Sequence, residues 1–190
     1  GRPTWGTWWQ WDGRLTSMLL LFFVYLGYIA LAEADRDRGG DGRIAALFGS
    51  AGLNVKISGD IEADLWIKLL MNATYNAVSA LGRSAYGRMV AMPEINAIMR
   101  EAAAEVVAVA KAKGVRLPDD IIETAMKLAD TMPQTTSSTA QDIAKGRSTE
   151  IAYLNGTILQ QGRALGVATP VNGALNALIK LLEQSIAAGA

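Results

Sequence analysis

Cysteine and histidine are both absent from this chain of 190 residues. Without cysteine there can be no disulfide, no zinc–thiolate centre and no thiol nucleophile. Without histidine the chain lacks the commonest general base and the commonest metal ligand of proteins. Any acid–base chemistry must therefore depend on Lys, Asp, Glu or Tyr, and no metal site is expected.

An excess of charge is also missing, because 18 basic residues balance 18 acidic ones. Nothing in that balance would attract a phosphate backbone, so nucleic acid is not an expected partner. Alternating β-branched patterns are lacking too, apart from a possible short extended piece at Leu53–Ile57. The remainder predicts an all-α fold with helices at about 61–81, 93–113, from 117, from Ser137 to 144, 149–165, and from 169 onward.

The N-terminal segment differs from the rest, since four of the five tryptophans lie within the first eleven residues. An uncharged run follows at 18–32, and with Thr16 and Ser17 it approaches the roughly 17 residues that span a bilayer. Three interpretations remain open: a transmembrane helix within residues 16–34, the core of a signal peptide, or a buried helix.

Charge and glycine replace the apolar run at 33–43, which indicates a linker. We therefore expect three parts: a Trp-rich segment with its apolar helix at 1–38, a junction at 39–60, and a helical domain at 61–190. The first residue is Gly and not Met, which is typical of a fragment or a processed chain.

A polar stripe runs through the first predicted helix of the domain. Asp64, Lys68, Asn72 and Asn76 recur every four residues and so share one side of a helix between apolar flanks. If the stripe faces a partly buried cleft, desolvation would make Lys68 a candidate proton donor. Alternatively, Lys68 extends to water and the two asparagines satisfy backbone groups.

A second polar cluster begins at Ser137 and Ser138 and continues at Thr149 and Glu150. Serines at a helix start are usually caps, and a glutamate in a first turn usually complements the helix dipole. The functional alternative is that Ser138 binds an anionic substrate and that Glu150 is the partner of a buried Lys68.

Four motifs occur in a characteristic order: WIKL at 66–69 with Asn72 and Asn76, SSTAQD at 137–142, TEIAYLNG at 149–156, and GVATPVN at 166–172. They resemble the ketopantoate reductase (2-dehydropantoate 2-reductase) family from about Asp41 to the C terminus. The resemblance implies the helical C-terminal domain of a cytoplasmic enzyme that reduces a small 2-keto acid, ketopantoate, with NADPH.

By this resemblance Lys68 is the general acid that protonates the developing alkoxide, and Glu150 orients it. Asn72, Asn76 and Ser138 would hold substrate oxygens. An ammonium group suits a reaction in which negative charge grows on oxygen.

The nucleotide-binding half of such an enzyme is not found in this sequence. Its G-x-G-x-x-G motif after a strand does not occur anywhere in the chain. We therefore expect no tight NADPH binding and no activity from this chain alone. The missing domain would have to act in trans, or self-association would cover the exposed surface.

The first segment has a different resemblance, to the tryptophan-rich motif of the haem exporter C protein of cytochrome c maturation. Its residues here are Trp5, Trp8, Trp9, Trp11 and Asp12. That resemblance implies an alternative, a membrane-anchored haem-handling fragment, although the family's haem-ligating histidines are absent. A fusion of two unrelated sequences near residues 33–43 is the simplest interpretation, and a helical interaction module without chemistry is a third possibility.

Overall fold

The computed structural model of the chain describes Ser50 and residues 58–188. The chain divides into two compact units between Gly59 and Asp60, and the second unit is helical. Within residues 58–188 the elements are α1 (Ile61–Gly82), α2 (Tyr86–Ala91), α3 (Pro93–Ala112), α4 (Ile121–Thr131), α5 (Ser138–Ala144), α6 (Asn155–Leu165) and α7 (Pro170–Ala187). This part contains no strand, which confirms the predicted all-α fold.

Helices α1 and α3 form the centre of the domain. Helix α1 packs against α3, α5 and α7, and α3 also packs against α6 and α7. On α3 the buried positions are occupied mainly by small residues, among them Ala102, Ala103, Val106 and Ala110. Small side chains let neighbouring helices approach closely, which explains how five helices, α1, α2, α4, α6 and α7, can pack against α3.

Local signals set most of the helix starts. The Asp60 carboxylate accepts a hydrogen bond from the Ala63 N–H at 3.0 Å and so caps α1. Pro93 and Pro170 occupy the first positions of α3 and α7, where a missing N–H does no harm. Ser137 caps α5, as its sequence position predicts.

The helix predicted at 149–165 is wrong at its start, because α6 begins only at Asn155. The preceding residues form turns that are held by local hydrogen bonds. The Thr149 hydroxyl accepts from the Ile151 N–H at 3.2 Å, and Glu183 Oε1 accepts from the Thr149 N–H at 2.6 Å. These bonds offer the backbone an alternative to the helix, so Glu150 lies in a turn and not in a first helical turn.

No helix in the described part of the chain is long and apolar enough to cross a membrane. The apolar run considered for a membrane span lies outside that part, and so does the possible extended piece at Leu53–Ile57.

Candidate functional site

The polar stripe of α1 runs from the surface into the interior. Asp64 and Lys68 are exposed, Asn72 is half-buried, and Asn76 is only 4% exposed. Of the two interpretations that the sequence left open for Lys68, the structure therefore agrees with the one in which its side chain extends to water. The reason is that the first two turns of α1 pack on the core through the side of Trp66, which is 7% exposed, whereas Lys68 shares the opposite side with Ile61 and Leu65, which are 65% and 59% exposed.

Asn76 is the innermost member of the stripe. Its backbone carbonyl accepts a hydrogen bond from Ser137 Oγ at 3.1 Å. Its side-chain amide has no hydrogen-bond partner among the residues that the structure describes. Within the described residues the fully buried side-chain atoms without a partner belong to Thr74, Asn155 and Asn176. The Asn76 amide therefore keeps access to solvent and is available to bind a polar ligand.

The second polar cluster meets α1 beside Asn76. Ser137 caps α5 by accepting from the Ala140 N–H at 3.0 Å, and its own N–H donates to Ser79 Oγ at 3.2 Å. Ser138 follows as the first residue of α5, and its side chain is exposed. The structure thus brings the start of α5 against the C-terminal half of α1, as the functional interpretation requires.

The predicted pairing of Lys68 with Glu150 is not formed. Both side chains are exposed. Within the described residues the salt bridge present joins Arg100 of α3 to Glu123 of α4 and involves neither Lys68 nor Glu150. Lys68 and Glu150 are therefore two separate, solvated charges in this chain.

A buried pair of asparagines ties the turn that carries Glu150 to α1. Asn155 Nδ2 donates to the carbonyl of Ala73 and to Asn172 Oδ1, each at 2.9 Å. Ala73 lies between Asn72 and Asn76 on α1, so this contact fixes the turn relative to the polar stripe. Both asparagines are fully buried.

The network continues from Asn172 to α3. Asn172 Nδ2 donates to the Ala102 carbonyl at 3.0 Å and to Glu105 Oε2 at 2.7 Å. The Glu105 carboxylate also accepts from the N–H groups of Val171 and Asn172, at 2.8 and 2.9 Å. It thereby caps α7 from another helix. Sequence reasoning missed Glu105, because no local pattern relates it to the start of α7, 66 residues away.

Tyr75 is not suited to proton transfer near neutral pH. Its hydroxyl donates to the carbonyls of Ala125 and Met126, at 2.8 and 3.2 Å. Burial raises the pKa of Tyr75 to about 12, and burial also raises the pKa of Tyr86, whose ring centroid lies 4.5 Å away. Tyr75 therefore contributes to the core and not to acid–base chemistry.

The described residues do not fit a nicotinamide dinucleotide. Such a cofactor is usually held by a glycine-rich turn between a strand and a helix, and residues 58–188 contain no strand. They also contain no group of three or more side chains that could hold a metal ion.

The sequence family "Ketopantoate reductase PanE/ApbA C terminal" matches residues 60–183. The chain belongs to this family. It is 41% identical over 140 residues to a 2-dehydropantoate 2-reductase of Pyrobaculum aerophilum, which covers 74% of this chain and 50% of that protein. It is 30% identical over 141 residues to the enzyme of the same name from Halobacterium salinarum, which covers 74% and 46%. The chain thus spans about half the length of the curated relatives it matches.

Solved structures agree with this assignment. A PanE/ApbA family ketopantoate reductase from Ralstonia eutropha JMP134 superposes with a TM-score of 0.73 and 44% identity, over 76% of this chain and 49% of that protein. A ternary structure of D-mandelate dehydrogenase with NADH and anilino(oxo)acetate superposes with a TM-score of 0.71 and 26% identity, over 76% and 61%.

The N-terminal resemblance is confirmed as well, over a shorter stretch. The "Heme exporter protein C" family matches residues 1–74. The protein of that name from Paracoccus denitrificans is 71% identical over 34 residues, which are 18% of this chain and 14% of that protein. Asp12 and the four tryptophans of the motif, Trp5, Trp8, Trp9 and Trp11, lie outside the described residues.

Proposed function

We propose that the helical domain is the substrate-binding half of an NADPH-dependent 2-keto acid reductase that converts ketopantoate to pantoate. The observation that carries this proposal is the stripe on α1, which leads from the exposed Lys68 to Asn76, a residue that is only 4% exposed. A charged donor at the exposed end of the stripe and an amide at its inner end suit a small molecule with a carboxylate and a ketone.

Lys68 is proposed as the proton donor. Reduction of a ketone places negative charge on its oxygen, and a nearby ammonium group stabilises that charge and then supplies the proton. Exposed apolar side chains flank Lys68 at Ile61 and Leu65, and Tyr153 is 79% exposed three residues after Glu150. A second domain that covered this apolar surface would also remove water from Lys68 and strengthen its interaction with the substrate.

The other residues of the site bind and orient. The amides of Asn72 and Asn76 and the hydroxyl of Ser138 would donate hydrogen bonds to substrate oxygens. The carboxylate of Glu150 forms no salt bridge with Lys68 in the described residues, so it would orient the ammonium only once substrate and a nucleotide-binding domain are bound. Support comes from Asn76 and Ser137, which bring α5 and α1 together, and from Asn155, which holds the Glu150 turn against α1.

The hydride must come from NADPH held by another domain, so the chain alone is expected to be inactive. The test is to mix the purified chain with NADPH and ketopantoate and follow absorbance of the reduced nicotinamide. No turnover above the background rate is expected. Turnover by this chain alone would overturn the claim that it is incomplete.

Activity should appear when a nucleotide-binding domain is supplied in trans. Adding the separate nucleotide-binding domain of a ketopantoate reductase should restore reduction that depends on Lys68, with Lys68→Ala lowering kcat by about 100-fold or more. Lys127→Ala, at an exposed lysine of α4, is the matched control and should leave the rate unchanged. Equal rates for the two variants would contradict the role of Lys68.

A second candidate function is haem handling by the N-terminal segment, which the 71% identity to the haem exporter protein favours. Haem titrated into the chain in detergent should then shift the Soret absorbance band, and Trp8→Ala with Trp9→Ala should abolish that shift. A shift that survives both substitutions, or no shift at all, would exclude this function.

A further inference from the structure

The turn that carries Glu150 is held from α7 by a carboxylate that is distant in the sequence. The N–H of Thr149, the residue directly before Glu150, donates to Glu183 Oε1 at 2.6 Å. Thr149 and Glu183 are both half-buried, and they lie 34 residues apart along the chain. A hydrogen bond to a charged acceptor is stronger than one between neutral groups, so this bond links the turn firmly to α7.

The backbone on the other side of Glu150 is fixed as well. The N–H of Ile151 donates to Thr149 Oγ1 at 3.2 Å, and Ile151 itself is buried in the core. The Glu150 carbonyl accepts from the N–H groups of Tyr153 and Leu154, at 2.9 and 3.2 Å. The Glu150 side chain, in contrast, is exposed and forms no salt bridge within the described part of the chain. The direction in which its carboxylate leaves the turn therefore depends on the backbone that Thr149 anchors.

Glu183 does little for the stability of α7 itself. It lies four residues before Ala187, where the helix ends, and a negative charge near the C-terminal end of a helix gains nothing from the helix dipole. Among the residues that the structure describes, its carboxylate forms no salt bridge. Since a half-buried carboxylate has lost part of its hydration, the Thr149 N–H compensates it. Ile179, one turn earlier, is fully buried and fixes this part of α7 on the core.

A second anchor holds the other end of the same turn. Asn155 Nδ2 donates to the Ala73 carbonyl at 2.9 Å, and Ala73 lies on α1 five residues after Lys68. A segment held at one point can still rotate about that point, whereas a segment held at both ends has a defined orientation. Glu183 supplies the anchor that is nearer to Glu150 in the sequence.

We propose that Glu183 is a positioning residue for Glu150. By holding Thr149, it fixes the backbone from which the Glu150 carboxylate reaches Lys68 once substrate and a nucleotide-binding domain are bound. This inference rests on the proposed function, in which Glu150 orients the Lys68 ammonium. Glu183 would contact neither the substrate nor the cofactor, so its loss should slow the reaction without weakening substrate binding.

Hydrogen exchange in the ¹⁵N-labelled chain of 190 residues tests the anchor without any turnover. Glu183→Ala should accelerate exchange of the Thr149 N–H by at least about tenfold, because it removes one hydrogen bond to a charged group. Exchange of the Ile158 N–H, inside α6, should not change. Glu183→Gln keeps an acceptor oxygen and should return the Thr149 rate to within about threefold of the original. Unchanged exchange at Thr149 in Glu183→Ala, or equal acceleration at Ile158, would overturn the proposal.

Turnover with an added nucleotide-binding domain of a ketopantoate reductase tests the positioning role. Glu183→Ala should lower kcat by about tenfold and leave KM for ketopantoate within about twofold. Glu183→Gln should recover most of the lost kcat. Gln184→Ala, at the exposed neighbour on α7, is the matched control and should leave both constants unchanged.

A double variant distinguishes positioning from a general structural effect. In a chain that already carries Glu150→Ala, Glu183→Ala should lower kcat no further, because both residues act through one carboxylate. An equal loss with and without Glu150, or a rise in KM at constant kcat, would refute the positioning role. If the original chain and the added domain gave no Lys68-dependent turnover, the proposed function would fail and with it the catalytic role of Glu183. The exchange rate of Thr149 would still decide whether Glu183 holds the turn.

Discussion

Tyr75 shows how the environment of one residue makes the stability of the domain depend on pH. Its hydroxyl is buried between α1 and α4 and donates to two carbonyls of α4. Burial raises its pKa from 10.0 to about 12 in the folded chain. Below pH 10 the side chain is neutral in both the folded and the unfolded state. Above it the unfolded state loses the proton first, so the free energy of unfolding falls as the pH rises to about 12.

Tyr75→Phe should reduce this dependence on pH. The variant loses the hydroxyl and its hydrogen bonds, so at pH 8 its free energy of unfolding should fall by about 1 kcal/mol. Between pH 10 and 12 the free energy of unfolding of the variant should decline less steeply than that of the original chain. The slope that remains is due to Tyr86. Urea unfolding followed by circular dichroism measures both quantities. Tyr153→Phe, at an exposed tyrosine, is the control, and a slope in Tyr75→Phe equal to that of the control would contradict the assignment.

The sequence predicts where the candidate site residues lie along the helices but not the environment of each side chain. Spacing of four placed Lys68, Asn72 and Asn76 on one side of α1, and the structure agrees. Periodicity alone left open whether Lys68 faces a cleft or water, because the burial of one side of a helix depends on what packs against it. The separation of Lys68 from Glu150 depends on tertiary packing, which sequence spacing does not contain.

At the scale of the elements, the packing of α6 on α7 depends on a glycine inside a helix. A Cβ at Gly162 would lie 2.8 Å from the backbone oxygen of Val167 and 2.8 Å from Thr169 Cγ2. The same turn is closed by the Val167 N–H, which donates to the Gly162 carbonyl at 2.8 Å. The backbone there cannot move away without breaking that bond.

Gly162→Ala is therefore expected to lower the free energy of unfolding by about 1–3 kcal/mol, the usual effect of crowding a packed position. Gly82→Ala is the matched control at the end of α1, where an added Cβ meets only Ser84 Cβ at 3.8 Å. It should raise the free energy of unfolding by about 0.5 kcal/mol, because alanine restricts the unfolded chain. Thermal and urea unfolding compare the two, and destabilisation by both or by neither would contradict this account.

Helix positions were predictable where a local signal marks them. Pro93, Ser137 and Pro170 begin helices because each satisfies or removes an N–H of the first turn. Helix α2 has only six residues and lacks a side-chain cap, so its sequence carries little signal. The stretch 149–154 has helical composition, yet the Thr149 hydroxyl and the distant Glu183 stabilise turns there.

For the whole domain, one buried polar network joins four helices. It runs from the Ala73 carbonyl of α1 through Asn155 of α6 and Asn172 of α7 to Glu105 of α3. Asn155 and Asn172 are fully buried and Glu105 is half-buried. Each bond between buried groups strengthens its neighbours, and the loss of one leaves a partner unsatisfied. The two asparagines should therefore act as one unit that sets how α6 and α7 dock on α1 and α3.

A double-mutant cycle tests this unit. Asn172→Ala should lower the free energy of unfolding by about 3 kcal/mol, since it removes bonds to Asn155, Ala102 and Glu105. Asn155→Ala should cost about 2 kcal/mol, and the double variant should fall short of the sum by about 1 kcal/mol, because the two share a bond.

Asn96→Ala provides the control for that cycle. Asn96 Nδ2 donates to the Val90 carbonyl at 3.0 Å, away from the network. Combined with Asn172→Ala, its effect on the free energy of unfolding should therefore be additive, because the two sites have no common partner. If the Asn155 and Asn172 substitutions were as additive as this control pair, the asparagines would be independent hydrogen bonds. The docking of the Glu150 turn on α1 would then need another explanation.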